Sequence, residues 1–130
     1  KLPVYTTAGA GAADVCSVDT FTLMPGETRL VNTGLIAEIP EGYAILVLPR
    51  SGLALKNSLT VLNAPGLVDS DYRGEIGVIL HNAGKLPCIV NAGERVAQFM
   101  IQRVDKAVFE GVEFVTDTAR GTGGFGHTGR

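Results

Sequence analysis

Residues 43–57 read YAILVLPRSGLALKN. Six apolar residues run without a polar interruption, and a proline, an arginine and a serine follow at once. Tyr43, Ile45 and Val47 alternate with Ala44, Leu46 and Leu48, so an extended chain here is apolar on both faces. Such a strand must be covered on both sides. In a small β domain another copy of the chain often supplies the second cover, so a homo-oligomer is expected; a closed sandwich is the other solution. Ser51 to Asn57 (SGLALKN) has room for a helical turn or two. No other window keeps a 3.6-residue apolar period for the length of a normal helix.

Outward from this stretch, turn signals recur about every ten residues. They are Pro25-Gly26, Asn32-Thr33-Gly34, Pro40-Glu41-Gly42, Pro49 to Gly52, Pro65-Gly66, Asn82-Ala83-Gly84 and Asn91-Ala92-Gly93. Between them lie short apolar, β-branched runs: TRLVNTGLIAEI, YAILVL, EIGVIL, LPCIV and RVAQFMIQRV. Even spacing of short strands between Gly/Pro turns predicts an all-β barrel or sandwich with one short helix.

The 130 residues fit one domain with its own core, 45% of them apolar. Eleven basic against 13 acidic residues give a net charge of −2, which excludes a polycation that grips nucleic acid non-specifically. An anionic ligand would have to be held by a few placed groups. Cys16 and Cys88 show neither a disulfide framework nor metal spacing, and buried free thiols are expected. No run approaches the ~18 apolar residues of a membrane span. Nor does a basic-then-apolar leader open the sequence, so a soluble intracellular protein is expected. A start at Lys1 instead of methionine leaves room for an upstream piece.

Four stretches are candidates for chemistry. In GLVDSDYRGE (66–75), Asp69 and Asp71 alternate as in an extended hairpin, while the plainer alternative is a solvated Asx turn. An EF-hand is excluded, because Arg73 and Leu80 stand at the fifth and twelfth loop positions where oxygen ligands are needed. In PRSGLA (49–54), Ser51 as helix cap with Arg50 beside it would seat a phosphate; an ordinary capped helix is the alternative. In RVAQFMI, Gln98 shares a strand face with Val96 and Met100 and needs hydrogen-bond partners if buried.

The fourth stretch closes the chain: RGTGGFGHTGR, 120–130. GTGGFG satisfies G-x-G-x-x-G at Gly121, Gly123 and Gly126, yet the dinucleotide fingerprint needs a helix next and none can follow. Without GK[ST] it is not a P-loop. Gly-rich backbone can still approach phosphate oxygens closely, Arg120 offers a bidentate fork, and Phe125 offers a stacking face for a base. A spent linker would need neither side chain, so the tail reads as a lid. Together the stretches describe a nucleotide site.

In order and spacing, GAADV (11–15), PRSGLA (49–54), GLVDSDYRGE (66–75), GERVAQ (93–98) and RGTGGFGHTG (120–129) resemble the five motifs of the trimeric deoxyuridine triphosphatases (dUTPases). The resemblance spans almost the whole chain. It implies a jelly-roll-like β-barrel over residues 1–119 and a glycine-rich arm at 120–130 that closes a neighbouring subunit's site. The implied assembly is a homotrimer with exchanged C-terminal arms and active sites at the subunit interfaces. The implied activity is Mg²⁺-assisted hydrolysis of dUTP to dUMP and pyrophosphate, which keeps uracil out of DNA and supplies dUMP; neither nucleic acid nor membrane is an implied partner.

By the same resemblance, Asp69 is the base that orients and deprotonates water and also accepts from the ribose 3′-hydroxyl. Tyr72 packs under the deoxyribose and excludes a 2′-hydroxyl. Asn63 and the main chain of Gly66, Leu67 and Val68 read the uracil edge. Arg50, Ser51, Gly52 and Gln98 hold the triphosphate, and Asp14 reaches the magnesium shell through water. Phe125 stacks over uracil, with Arg120, Gly123, Gly124, Gly126, His127 and Thr128 closing on the phosphates. Two departures stand out: Ala12-Ala13-Asp14 where the family's first motif usually has glycine and then an aromatic or leucine, and His127 where serine is common. The alternatives are a dCTP deaminase-like enzyme and a non-catalytic nucleotide-binding relative.

Overall fold

The computed structural model describes residues 1–128. Nine strands and one helix follow in the order β1 (Ala13–Cys16), β2 (Phe21–Leu23), β3 (Thr28–Asn32), β4 (Tyr43–Leu48), α1 (Ser51–Asn57), β5 (Leu59–Val61), β6 (Gly66–Val68), β7 (Gly77–Asn82), β8 (Cys88–Val90) and β9 (Arg95–Arg103). They form sheets of order β1-β9-β4-β6, β3-β7-β5 and β2-β8, and every ladder is antiparallel. This is the all-β architecture the turn spacing predicts, in the jelly-roll-like form that the resemblance implies.

Alternation along the strands builds the core. Val31, Val78 and Leu80 from one sheet meet Val15, Ile45, Val47, Ala97 and Phe99 from the other, with Leu23 and Val90 closing the end. Glycine is required at Gly66, where an added Cβ would press on Val47 Cβ and Asn63 Nδ2, each at 3.2 Å. The buried Asn82 side chain donates to the carbonyls of Leu23 and Leu86 and accepts from the N–H of Gly84, so burial leaves it satisfied.

Several expectations change on folding. YAILVL is β4, but the Ala44-Leu46-Leu48 face is only partly covered within the chain, and Tyr43 is exposed. Ser51 is not the helix cap: Arg50 holds the extended cap position and no side chain caps the helix. In TRLVNTGLIAEI the ladder ends at Asn32, since Gly34 takes a positive φ of 68° that breaks the strand. Asp69 and Asp71 do not extend a hairpin: β6 stops at Val68, and the N–H of Tyr72 donates to the Asp69 carbonyl in a tight turn. Of the two free thiols Cys16 is buried, whereas Cys88 is only partly so.

Beyond β9 the chain makes no regular element among the described residues. Val108, Phe109, Phe114 and Val115 are each more than four-fifths exposed. Gly129 and Arg130 of the expected arm lie outside the described residues. No described helix is long and apolar enough to cross a membrane.

Candidate active site

The expected site residues fall into three separate groups on one chain. The first is a charged cluster across β1, β9 and the start of α1. Asp14 pairs with Gln98 in the β1–β9 ladder, which puts both side chains on one face. The Asp14 carboxylate, 6% exposed, accepts from Arg50 Nε at 3.0 Å, Gln98 Nε2 at 3.2 Å and Arg95 Nη1 at 2.9 Å. Burial pushes its pKa up, but the hydrogen bond from Arg95 and the charge and hydrogen bond of Arg50 outweigh it and hold the group below the ordinary carboxylate range. Ser51 and Gly52 follow on the exposed first turn of α1, beside a cleft of about 420 Å³ bordered by Arg50 and Arg95.

The second group lines a cleft of about 480 Å³ between the two larger sheets. Asn63, Gly66, Leu67, Val68, Asp69 and Tyr72 meet Leu30, Val47, Ile76 and Ile79 there. β6 ends its sheet, so its main chain pairs with β4 on one side and has no strand beyond it on the other among the described residues. An unpaired strand edge offers donors and acceptors in fixed alternation, which suits a planar, hydrogen-bonding base. The Tyr72 hydroxyl donates to the Glu75 carbonyl at 3.0 Å and so fixes the ring at the mouth. A cleft of this size with apolar walls and a few convergent polar groups is the usual form of a small-molecule site.

The third group is the tail. Arg120 Nε donates to the Gly123 carbonyl at 2.8 Å, and the His127 N–H donates to that of Gly124. The His127 ring lies against Gly123. Phe125 is fully exposed with a φ of 50°, and Gly126 and Thr128 close the described segment.

One chain does not join these groups. β4 pairs Ile45 with Val68 on one side and Leu48 with Gln98 on the other. Three residues along a strand span roughly 10 Å and two strand spacings roughly another 10 Å, so Gln98 and Val68 stand on the order of 14 Å apart. Asp69 lies one residue further, and the cleft it lines contains no member of the charged cluster.

Arg95 was missed in the sequence although it stands inside GERVAQ. Counting three residues back from Gln98 puts it on the opposite face of a regular strand; only a bulge brings it round.

A family model described as dUTPase matches residues 1–129. The chain belongs to the dUTPase family. It is 52% identical over 132 residues to the deoxyuridine 5'-triphosphate nucleotidohydrolase of Chlamydia pneumoniae, covering 99% of this chain and 91% of that protein. Against the protein so named from Leifsonia xyli subsp. xyli the identity is 48% over 130 residues, with coverage of 99% and 86%. Among solved structures, a Staphylococcus bacteriophage 80alpha dUTPase variant with dUpNHpp superposes with a TM-score of 0.92 at 25% identity, covering 100% of this chain and 92% of that one. A dUTPase variant from phage phi11 of S. aureus, whose structure details the coordination of a structural Mg(II) ion, has a TM-score of 0.80 at 24% identity, with coverage of 88% and 90%.

Proposed function

We propose that the protein hydrolyses dUTP to dUMP and pyrophosphate, at sites assembled from more than one copy of the chain. The observation that carries this reading is the separation of the two halves of the site, in a chain of the dUTPase family. One half is a base-sized cleft with a carboxylate at its rim, and the other is a cationic cluster too far away to reach the same ligand. Apposing the cleft of one subunit to the cluster of the next completes a site, and a closed ring of three does this with no end left over. The exposed apolar residues of the 104–119 segment then have a neighbouring surface to cover them.

In this reading uracil enters the cleft and pairs with Asn63 and the free edge of Gly66, Leu67 and Val68. A hairpin closed snugly on the base would exclude a 5-methyl group, and a base of the wrong polarity leaves buried groups unpaired, which is worth ~10⁴ or more in selectivity. Tyr72 packs beneath the deoxyribose where a 2′-hydroxyl would stand. Asp69 accepts from the 3′-hydroxyl and takes the proton of the water that attacks the α-phosphorus. As that water adds, the bond to the bridging oxygen breaks and pyrophosphate departs with its electron pair. A placed carboxylate base contributes ~10²–10⁴ in rate; the larger share comes from positioning and charge neutralisation. Arg50, Ser51, Gly52 and Gln98 supply these from the neighbouring subunit. The arm at 120–130 shuts the site, with Phe125 on the base and Arg120, Gly123, Gly124, Gly126, His127 and Thr128 on the phosphates.

The residues fit Mg²⁺ as a companion of the substrate. Among the described residues no three His, Cys, Asp or Glu side chains form a metal cage, and Mg²⁺ typically keeps several waters and binds through substrate phosphates with one or two carboxylates. Three donors on Asp14 leave one acceptor position on its two oxygens, suited to a metal-bound water. When bound, the ion neutralises triphosphate charge and makes pyrophosphate a better leaving group.

Pyrophosphate release across the four deoxynucleoside triphosphates and UTP tests the proposal. The expected result is turnover of dUTP alone, dependent on Mg²⁺, with no ammonia released from dCTP. Comparable turnover of dTTP or UTP would overturn the base and sugar assignments.

A further inference from the structure

The β1–β9 ladder contains a bulge whose effect is chemical. Asp14 pairs with Gln98 and Val15 with Ala97, but Cys16 then pairs with Arg95, so Val96 is one residue too many. In an uninterrupted strand Arg95 would face away from Gln98. The extra residue resets the alternation, as bulges do when they re-aim a side chain. Val96 and Ala97 both turn into the core, 1% and 0% exposed, and Arg95 returns to the side of Gln98 and Asp14.

There Arg95 holds the cluster at two points. Its Nη1 donates to Asp14 Oδ2 at 2.9 Å, and its carbonyl accepts from Arg50 Nη1 at 3.1 Å. Asp14 Oδ1 meanwhile takes Arg50 Nε and Gln98 Nε2. With Arg50 fixed by Nε and one Nη1 hydrogen, its remaining donors stay available for a ligand. Charge points the same way. An Asp14–Arg50 pair alone is neutral, whereas two guanidiniums on one carboxylate leave a positive charge for an anion.

We propose that Arg95 is a positioning residue for the triphosphate: acting through Asp14 and through its own carbonyl, it sets the direction of Arg50 and Gln98. The inference rests on the dUTP reading above, which the parent protein tests separately by turning over dUTP or failing to do so.

The test compares the full-length parent with Arg95→Met and Arg95→Lys. Affinities for dUMP and for a non-hydrolysable imido analogue of dUTP are measured by calorimetry beside kcat and KM. Loss of aim is expected to cost Arg95→Met about 10-fold in analogue affinity and a similar factor in kcat. Affinity for dUMP stays within about two-fold of the parent. Arg95→Lys, which keeps the charge, recovers most of the loss. In an Asp14→Asn background, Arg95→Met adds less than about two-fold, because the route is already cut. Parental analogue binding by Arg95→Met would overturn the proposal, as would equal loss of both ligands or losses that multiply with Asp14→Asn, the sign of direct phosphate contact. Should Arg95→Met fail to fold, Arg95→Lys decides: a two- to five-fold loss confined to the analogue supports the proposal, and equal losses on both ligands sink it.

Discussion

Tyr72 occupies the space that a side chain at position 74 would need: a Cβ added at Gly74 would collide with the Tyr72 hydroxyl and ring edge. The hydroxyl also donates to the Glu75 carbonyl, so the ring is set from two sides. Gly74→Ala is expected to displace the ring and spare the core, since Gly74 lies outside it. Discrimination of dUTP against UTP, measured as the ratio of kcat/KM values, should fall about 10-fold. An unchanged ratio would remove Tyr72 from the sugar-reading role.

Asp69→Ala should lower kcat by ~10²–10⁴ and leave dUMP affinity and the thermal midpoint close to those of the parent. Asp69 is exposed at the end of β6 and contributes no side-chain hydrogen bond to the fold among the described residues. Near-parental turnover would show that another group activates the water.

Mixing two inactive variants tests whether sites are shared. Asp69→Ala and Arg50→Met damage groups that one chain does not bring together. Unfolded together and refolded as mixed trimers, they should regain activity at about a quarter of the sites, those pairing an intact cleft with an intact cluster. A mixture as inactive as either parent variant would place the whole site within one chain.

Removing residues 120–130 should preserve the fold, because the described part of this segment bonds only to itself and its immediate approach. Turnover should drop at least about 10²-fold, the scale of losing groups that close and orient a site. Full activity in the truncated chain would refute the lid.

Acid stability offers a further check at the turn between β8 and β9. The Glu94 carboxylate accepts from the Asn91 N–H at 2.9 Å and from its side-chain amide at 3.1 Å. These two bonds hold the Glu94 pKa below its ordinary value of 4.5. A carboxyl depressed in the folded state stabilises the fold above its unfolded pKa and loses that contribution as the pH falls through the folded value. Glu94→Gln should therefore lower the thermal midpoint by about 1–2 °C at pH 7, a small effect because the group is exposed. The difference should vanish below the folded pKa; its persistence there would assign the effect to packing.

Local chemistry made much of this legible. The Gly/Pro turns mark where strands stop, and SGLALKN is the helix, bounded by extended Arg50 and left-handed Ser58. The residues around the base-sized cleft were also readable, because Asn63 to Tyr72 is one continuous stretch. What stayed hidden depends on long-range pairing. Ser51 looked like a cap because serine favours that position, yet the chain leaves β4 extended through Arg50, and the arginine takes the cap while its guanidinium reaches Asp14, 36 residues away. Leu35 to Ile39 looked like a strand, but it joins no ladder among the described residues, and its one main-chain bond there is the Leu35 carbonyl accepting from the Ile76 N–H at 2.8 Å. Arg95 was lost to a parity rule that holds for every regular strand and fails at this one.

That failure has a corollary for how the gene can change. β9 must keep count as well as chemistry: deleting one codon between Arg95 and Gln98 would straighten the ladder and keep the guanidinium on the side of Gln98, but only one inward side chain would remain where Val96 and Ala97 now fill the interior. Substitutions along the strand can be graded from mild to severe, but a frame-preserving loss of one residue here admits no gradation. The segment should therefore vary in letters far more readily than in length.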